Sequence, residues 1–407
     1  MLQKHIDIGT SAPAARPASD RIIDDALRAV REHLDMPIAY LSEFVDDRSV
    51  FRHVDAPNLA HMIAPGDSKP LDEVYCRHII EGRLPNLIAD TGALEFAQSL
   101  PITRAAPIGS HVSVPIHRAD GSVYGMFCCL SPVPNPSLNE RDLKVMRMFA
   151  DLAAKQVREQ LERDGDQSAA WQRTTGMLAE SAYEMLFQPI YRLCDGGLAS
   201  FEALCRFRSE DYRSPDVWFA DARRAGLQVE LETAVVEAAV RALPELPAGA
   251  RLAVNASPDT VAEGTLLPIF RAAGSDRLTL EITEHEQTTR LDRLSRAVAA
   301  LRDEGVRIAI DDVGAGYAGL HQILRLKPDV LKLDMSLVRD VDGDPARRAL
   351  ASALVRFAGE TGAHVVAEGI EHEREWHTLR ALGVDYGQGW LVGRPGAITD
   401  AAPSVRI

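Results

Sequence analysis

Residues 307–320 read RIAIDDVGAGYAGL, an apolar run that ends in two adjacent aspartates, Asp311 and Asp312, followed by a glycine-rich turn. The run alternates as a β-strand does. Asp and Gly are ordinary turn residues, so a solvated turn is one interpretation of the stretch. Two carboxylates this close repel each other unless a cation lies between them, so the second interpretation is a metal site.

The composition is that of a globular protein of two or three domains, with 407 residues, 46% of them hydrophobic, and a net charge of −14. This negative charge argues against broad binding to nucleic acid or to an anionic membrane. No stretch approaches the roughly 18 apolar residues of a membrane span, and the N-terminus lacks the apolar region of a signal peptide. The five cysteines form no CxxC pair, which favours a reducing cytoplasm over a disulfide framework or a zinc site.

A first domain is predicted over residues 21–162, after a loose tail of residues 1–20. It opens with a helical pattern at 22–34 and closes with another at 139–162, whose apolar residues recur every three or four positions. Strand-like runs lie between these helices, at 39–45, 111–118 and 122–131, and Asp120–Gly121 marks a hairpin.

Residues 163–177 are predicted to link this domain to the next. The polar stretch 163–176 is either a hinge or a continuation of the preceding helix with an interruption. The apolar face of that helix either packs on its own domain or pairs with a second chain, and we expect a homodimer.

The second domain, residues 178–407, has eight strand candidates, most of them separated by helical patterns. Alternating strands and helices predict a parallel sheet, and eight such units predict a barrel of the (β/α)₈ kind. The candidates are residues 186–193, 198–207, 251–257, 277–283, 307–313, 330–334, 364–370 and 387–392.

Polar side chains stand in or at the end of these strands. In such a barrel the carboxyl ends of the strands meet on one face, where active sites lie. Five acidic residues and one asparagine should therefore share that face: Glu202, Asn255, Glu281, Asp311, Asp312 and Glu368. Oxygen ligands without nearby Cys or His suit Mg²⁺ or Mn²⁺, and paired ions are a recurring device for phosphoryl transfer.

Several motifs in one order resemble the EAL domain family. They are FQPI at 187–190, FEALCR at 201–206, NAS at 255–257, EITE at 281–284, DDVGAGY at 311–317, KLD at 332–334, AEGIE at 367–371 and QGW at 388–390. The resemblance covers essentially all of residues 180–395. It implies a modified (β/α)₈ barrel, TIM-like, with phosphodiesterase activity that converts cyclic di-GMP to linear pGpG.

The resemblance also implies roles for individual residues. The first of two metal ions, Mg²⁺ or Mn²⁺, would be held by Glu202, Asn255, Glu281 and Asp311, and the second by Asp311, Asp312 and Glu368. Lys332 would orient the attacking water, and Glu284 would anchor the loop after the paired aspartates, so Lys332, Glu368 and Glu284 are the candidate catalytic residues. Arg206 would hold a phosphate, while Gln188, Asp334, Glu371 and Gln388 would contact the substrate or shape its pocket.

The loop after the paired aspartates departs from the family's usual DDFGTGYSSL at Val313, Ala315, Ala318 and Gly319. The changes remove three hydroxyl groups and an aromatic ring, but every type of metal ligand is kept. We therefore expect an active enzyme whose metal affinity and regulation reflect the altered loop. The alternatives are a catalytically silent receptor for cyclic di-GMP or for a protein, and a phosphodiesterase for another nucleotide.

The first domain more loosely resembles the GAF domain, a small-molecule sensor of α+β architecture with an antiparallel sheet. The resemblance rests on residues 40–54, 74–80, 108–129 and 138–152. Some GAF domains attach a bilin to a cysteine, but we expect Cys76 to be an ordinary buried cysteine. The sequence identifies no ligand for this domain.

Overall fold

The computed structural model describes residues 18–59, 61–209, 212–283, 290–313 and 319–407. The chain divides into two compact units, Met1–Asp166 and Gln167–Ile407. The division falls inside one continuous helix, so the polar stretch 163–176 is helical. No described helix has the length and the hydropathy that crossing a membrane requires.

The first unit is an antiparallel sheet with helices on both faces. Its six strands lie in the order β3-β2-β1-β6-β5-β4. They are β1 (Ile38–Val45), β2 (Arg48–Asp55), β3 (Ser68–Pro70), β4 (Leu87–Ile88), β5 (Ser110–His117) and β6 (Val123–Ser131). The helices are α1 (Ala18–His33), α2 (Tyr75–Ile80), α3 (Glu95–Ser99), α4 (Pro101–Ala105) and α5 (Glu140–Glu180), with a 3₁₀ turn at Thr91–Ala93.

Side chains of the central strands alternate between two cores, as the period of a strand requires. Ala39 and Leu41 of β1 pack with α1 and α5. Ile38 and Tyr40 pack with α2, α3 and α4 on the opposite face. The apolar face of α5, including Leu143 and Val157, lies in the first of these cores. That face therefore packs on its own domain, the first of the two alternatives.

The second unit is a closed barrel of eight strands in the order β10-β11-β12-β13-β14-β7-β8-β9. The strands are β7 (Tyr183–Arg192), β8 (Leu198–Phe207), β9 (Arg251–Ala256), β10 (Leu278–Thr283), β11 (Arg307–Val313), β12 (Val330–Leu333), β13 (His364–Ala367) and β14 (Tyr386–Gly387). The helices are α6 (Pro215–Ala225), α7 (Gln228–Val240), α8 (Pro258–Glu263), α9 (Leu266–Ala273), α10 (Leu291–Asp303), α11 (Gly319–Leu326), α12 (Met335–Val338), α13 (Pro345–Thr361) and α14 (Glu373–Leu382). Further 3₁₀ turns are Leu243–Glu245, Ser275–Arg277 and Ile398–Asp400.

The barrel differs from a fully parallel one at β7, which pairs antiparallel with both of its neighbours, β8 and β14. Residues 193–197 form the whole connection from β7 to β8. A parallel crossover needs a dozen or more residues, and a connection as short as this one therefore forces a hairpin. The predicted parallel sheet is therefore wrong for this one strand, and the predicted eighth strand shortens to two residues because 388–392 lie in a loop.

A buried aspartate fastens the C-terminal part of α5 to the barrel. The carboxylate of Asp221, in α6, accepts hydrogen bonds from Arg173 of α5 at 2.8 Å, from Arg213 at 3.0 Å and from Arg224 at 2.8 Å. A buried carboxylate is tolerated only when it is paired in this way. Asp221 thus holds α5, α6 and the loop before α6 together.

We predict that Asp221→Asn lowers the free energy of unfolding of the barrel by about 1–3 kcal/mol, because three arginines lose their counter-charge. The loss stays moderate because the arginine side chains are 34–50% exposed, and water replaces part of the interaction. Urea unfolding followed by tryptophan fluorescence measures it, since all four tryptophans lie beyond residue 166. The control, Asp216→Asn, changes an exposed acid of the same helix, and an equal loss in both variants would contradict the prediction.

Candidate active site

The strand ends of the barrel bring one basic and several acidic side chains together. Glu202 comes from β8, Glu281 from β10 and Asp311 from β11, while Glu368 directly follows β13. Lys332, in β12, lies among them and is 1% exposed. The structure therefore brings together four of the five acidic residues that were predicted to share one face of the barrel.

The ammonium of Lys332 contacts all four carboxylates. Its Nζ lies 2.7 Å from Glu281 Oε2, 2.7 Å from Glu368 Oε1, 3.1 Å from Asp311 Oδ1 and 3.5 Å from Glu202 Oε2. One positive charge thus faces four negative ones in a buried space, and charge balance there requires protons or further cations.

Two side-chain amides hold the carboxylates in place. Asn255 Nδ2 donates to Glu202 Oε1 at 2.9 Å. Gln388 Nε2 donates to Glu202 Oε2 at 2.7 Å and to Glu368 Oε1 at 3.0 Å. Glu202 therefore has both of its oxygens fixed before any ligand binds.

The carboxyl groups differ in pKa because their surroundings differ. Burial raises the pKa of Glu202, but Lys332, Gln388 and Asn255 outweigh it, so the pKa lies below its ordinary value. Burial holds the pKa of Glu281 well above the ordinary value and raises that of Glu368 to about 8, although Lys332 opposes both. Burial alone would lower the pKa of Lys332, but the carboxylates around it raise it well above its ordinary value.

A bulge in β11 lets Asp311 and Asp312 face the same space. Adjacent residues of a regular strand point to opposite faces. Here the register against β12 shifts between Ile310 and Val313, and Asp312 has a left-handed φ of 56°. Asp tolerates that conformation better than most residues do, and such strained positions cluster at functional sites. Both carboxylates accordingly line one cavity.

That cavity, of about 700 Å³, opens beside the acidic residues. Arg206, Asn255, Asp311 and Asp312 line it, whereas Lys332 and Glu281 are buried and do not line it. A guanidinium group and carboxylates on one wall suit a ligand that carries phosphate groups and binds with metal ions.

Three other predicted substrate-binding residues form hydrogen bonds with groups outside the acidic cluster. Gln188 is buried and donates to the carbonyl of Gly393 at 3.0 Å. Asp334 caps α12 by accepting from Ser336 N at 2.9 Å, and Glu371 accepts from Arg339 at 3.0 Å. Their observed contacts are structural, and their roles toward a substrate stay predictions.

Glu284 and residues 314–318 lie outside the described residues, so the predicted anchoring of the loop stays untested. Val313 is described, and its side chain is buried in the barrel core.

Tyr212 is a further residue of this cavity, and no motif in the sequence points to it. This side chain is 88% exposed and lines the same cavity as Arg206 and Asn255. An aromatic residue in the polar loop that follows Arg206 is the signal that could have revealed it, because exposed aromatics often stack on bases.

The donor set fits a hard divalent cation. Asp311, Asp312 and Glu368 each offer a carboxylate oxygen within 4.8 Å of the others. Oxygen donors alone are what Mg²⁺ and Mn²⁺ prefer.

Two family models match the chain: EAL domain at residues 170–395 and GAF domain at residues 19–157. The chain is 31% identical over 230 residues to a Pseudomonas aeruginosa protein, cyclic di-GMP phosphodiesterase NbdA, covering 54% of this chain and 29% of that protein. It is 28% identical over 248 residues to cyclic di-GMP phosphodiesterase PdeF of Escherichia coli, covering 58% and 33%. The chain spans about a third of the length of the curated relatives it matches.

Among solved structures, the barrel is similar to the PaMucR phosphodiesterase in complex with c-di-GMP, with 28% identity and a TM-score of 0.51. That match covers 56% of this chain and 98% of the other.

We predict that Lys332→Met destabilises the metal-free protein by about 3–5 kcal/mol, because four carboxylates lose the counter-charge that they share. Mn²⁺ should restore much of the loss by replacing that charge. Thermal unfolding followed by tryptophan fluorescence, in EDTA and in Mn²⁺, measures both effects. Lys327→Met, which removes an exposed lysine of the same unit, is the control, and a Lys332→Met protein as stable as the parent in EDTA would refute the prediction.

A second prediction concerns pH. Because the pKa of Glu368 is about 8 against an ordinary 4.5, the folded state keeps a proton that the unfolded chain releases. This contribution to stability is complete below pH 4.5 and is lost as the pH rises through 8. Urea midpoints at pH 5.5, 7 and 8.5 in EDTA should therefore fall, and Glu368→Gln should remove part of the slope. Glu360→Gln, at an exposed acid, should leave the slope intact; equal slopes in all three proteins would contradict the assignment.

Proposed function

Because the chain belongs to the EAL domain family, we propose that its barrel hydrolyses cyclic di-GMP to linear pGpG and that its first unit, a GAF domain, regulates this reaction. The observation that supports the activity best is the group of carboxylates around Lys332 beside a cavity lined by Arg206. No member of the set of ligands expected for the two metals is replaced in this chain.

Two Mg²⁺ or Mn²⁺ ions are proposed to complete the site. Glu202, Asn255, Glu281 and Asp311 would hold one ion, and Asp311, Asp312 and Glu368 the other. When bound, such ions activate water and neutralise charge on the phosphodiester.

The chain's own residues supply positioning and charge. Arg206, on the cavity wall, offers its planar guanidinium group to a phosphate oxygen of the substrate. Gln388 holds Glu202 and Glu368 next to each other by donating to both carboxylates. Lys332 offers its N–H groups to the attacking water and offsets the negative charge that develops in the transition state.

The alternative is a receptor that binds cyclic di-GMP without cleaving it. Val313 favours it, since valine replaces the aromatic residue that is usual in the loop after the paired aspartates. Turnover decides between the two, because both functions require a bound nucleotide and only one yields pGpG.

Further parts of the proposal concern the whole protein. We place it in the cytoplasm, with a sensor at 21–162, a linker at 163–177 and a barrel at 178–407. Met148 and Leu152, one turn apart on α5, expose apolar side chains that suit a homodimer, which the mass in light scattering would report.

We predict that the purified chain converts cyclic di-GMP to pGpG with Mg²⁺ or Mn²⁺, as followed by chromatography of the products. Asp311→Asn should lower the rate at least about a hundredfold, because Asp311 is expected to bind both ions. The control Asp303→Asn changes an exposed acid of α10 and should keep full activity. Tight nucleotide binding without any product in either metal would exclude the enzyme and support the receptor.

A further inference from the structure

The first unit contains a cavity of about 310 Å³, separate from the barrel. It lies against the sheet face that packs with α2, α3 and α4. Aromatic and aliphatic side chains form most of its wall, among them Tyr40, Phe51, Tyr75 and Ile108. Such a wall favours a small ligand that is mostly apolar.

Among the described residues that line this cavity, one has a buried side-chain nitrogen without a hydrogen-bond partner. His111, in β5, is 1% exposed and lines the cavity, and its Nδ1 forms no hydrogen bond with any described residue. Burial lowers the pKa of His111 to about 4, so the imidazole is neutral near pH 7. A buried polar atom without a partner costs free energy that a bound ligand can recover.

The charge of the wall limits the charge of the ligand. Among the described residues that line the cavity, Lys69 is the one with a charged side chain, and none is acidic. A single cation on β3 matches a single anionic group. A divalent cation or a multiply charged nucleotide would find no matching set of groups.

The volume limits the size. A cavity of about 150 Å³ is known to hold benzene, so this one should hold about twelve non-hydrogen atoms. A bilin is much larger than that. Cys76 is buried against the hydroxyl of Tyr40, at 4.0 Å, and does not line the cavity. These observations favour the expectation that Cys76 is an ordinary buried cysteine.

We propose that this cavity binds a small aromatic monocarboxylate, with its ring among Tyr40, Phe51 and Tyr75, its carboxylate toward Lys69, and an N–H or O–H group donating to Nδ1 of His111. The regulatory effect of this ligand rests on the proposed function of the barrel, whereas its binding does not.

Three probes separate these features. Indole-3-acetate has the ring, the carboxylate and an N–H group; naphthalene-1-acetate lacks the N–H group, and indole lacks the carboxylate. Isothermal titration calorimetry on the full chain should give indole-3-acetate a dissociation constant of about 100 µM or tighter, as ligands of this size reach. The other two should bind at least about tenfold more weakly, since each leaves one polar group unmatched. No binding of either acetate at millimolar concentration would overturn the proposal, and equal binding of all three would overturn the polar contacts.

Variants locate the binding. Lys69→Gln should weaken indole-3-acetate about tenfold and leave indole unchanged, while Lys144→Gln, at an exposed lysine of α5, should change neither. His111→Phe keeps a ring of similar shape and should abolish the preference for indole-3-acetate over naphthalene-1-acetate. Thermal unfolding checks that this variant folds, and unchanged affinities in both Lys69→Gln and His111→Phe would place the binding elsewhere and refute the proposal.

Turnover of cyclic di-GMP with and without indole-3-acetate then reports regulation. Binding by the Asp311→Asn protein, which is expected to be inactive, should equal that of the parent. Loss of the activity with intact binding would therefore count against the enzyme alone, and loss of binding with intact activity against the sensor ligand alone.

Discussion

The ammonium of Lys332 lies within 3.5 Å of four carboxylates, which come from β8, β10, β11 and the residue after β13. Each of these carboxylates is far from the others in the sequence, so all four reach Lys332 only when β8, β10, β11, β12 and β13 keep their mutual register. A shift of one residue in any strand would turn its polar side chain to the other face. The ion cluster thus makes the geometry of the site and the closure of the barrel one requirement.

This arrangement is costly without further cations. Burial raises the pKa values of Glu281 and Glu368 although Lys332 opposes it, and the neighbouring carboxylates add to the rise. A pair of divalent ions would supply the missing positive charge at the place where a phosphodiester would need it. Stability and activity are therefore expected to draw on the same groups, which is typical of sites whose pKa values are strongly perturbed.

Much of this geometry follows from the sequence, and the exceptions have physical reasons. The strands of the barrel were predictable because each apolar run ends in polar residues at an interval that suits alternating strands and helices. The direction of β7 was missed because the pattern of apolar residues is the same in parallel and antiparallel strands; the short connection at 193–197 carried that information. The common orientation of Asp311 and Asp312 depends on a bulge, which no alternation reveals. Tyr212 belongs to a loop, where no period indicates which side chain faces the cavity.

The seam of the barrel has a consequence for how the protein is made. The first strand of the barrel, β7, closes it by pairing with the last strand, β14, nearly 200 residues later. Phe187 of β7 also exchanges backbone hydrogen bonds with Gly396, which follows β14. The side-chain hydroxyl of Tyr191 donates to the carbonyl of Ala402 at 2.9 Å. On the ribosome, β7 is made before the other strands of the barrel and keeps one edge unpaired until β14 has been synthesised, and contacts of such long range form slowly. The described strands of the first unit all pair within that unit, so it can fold during this interval, before the barrel is complete.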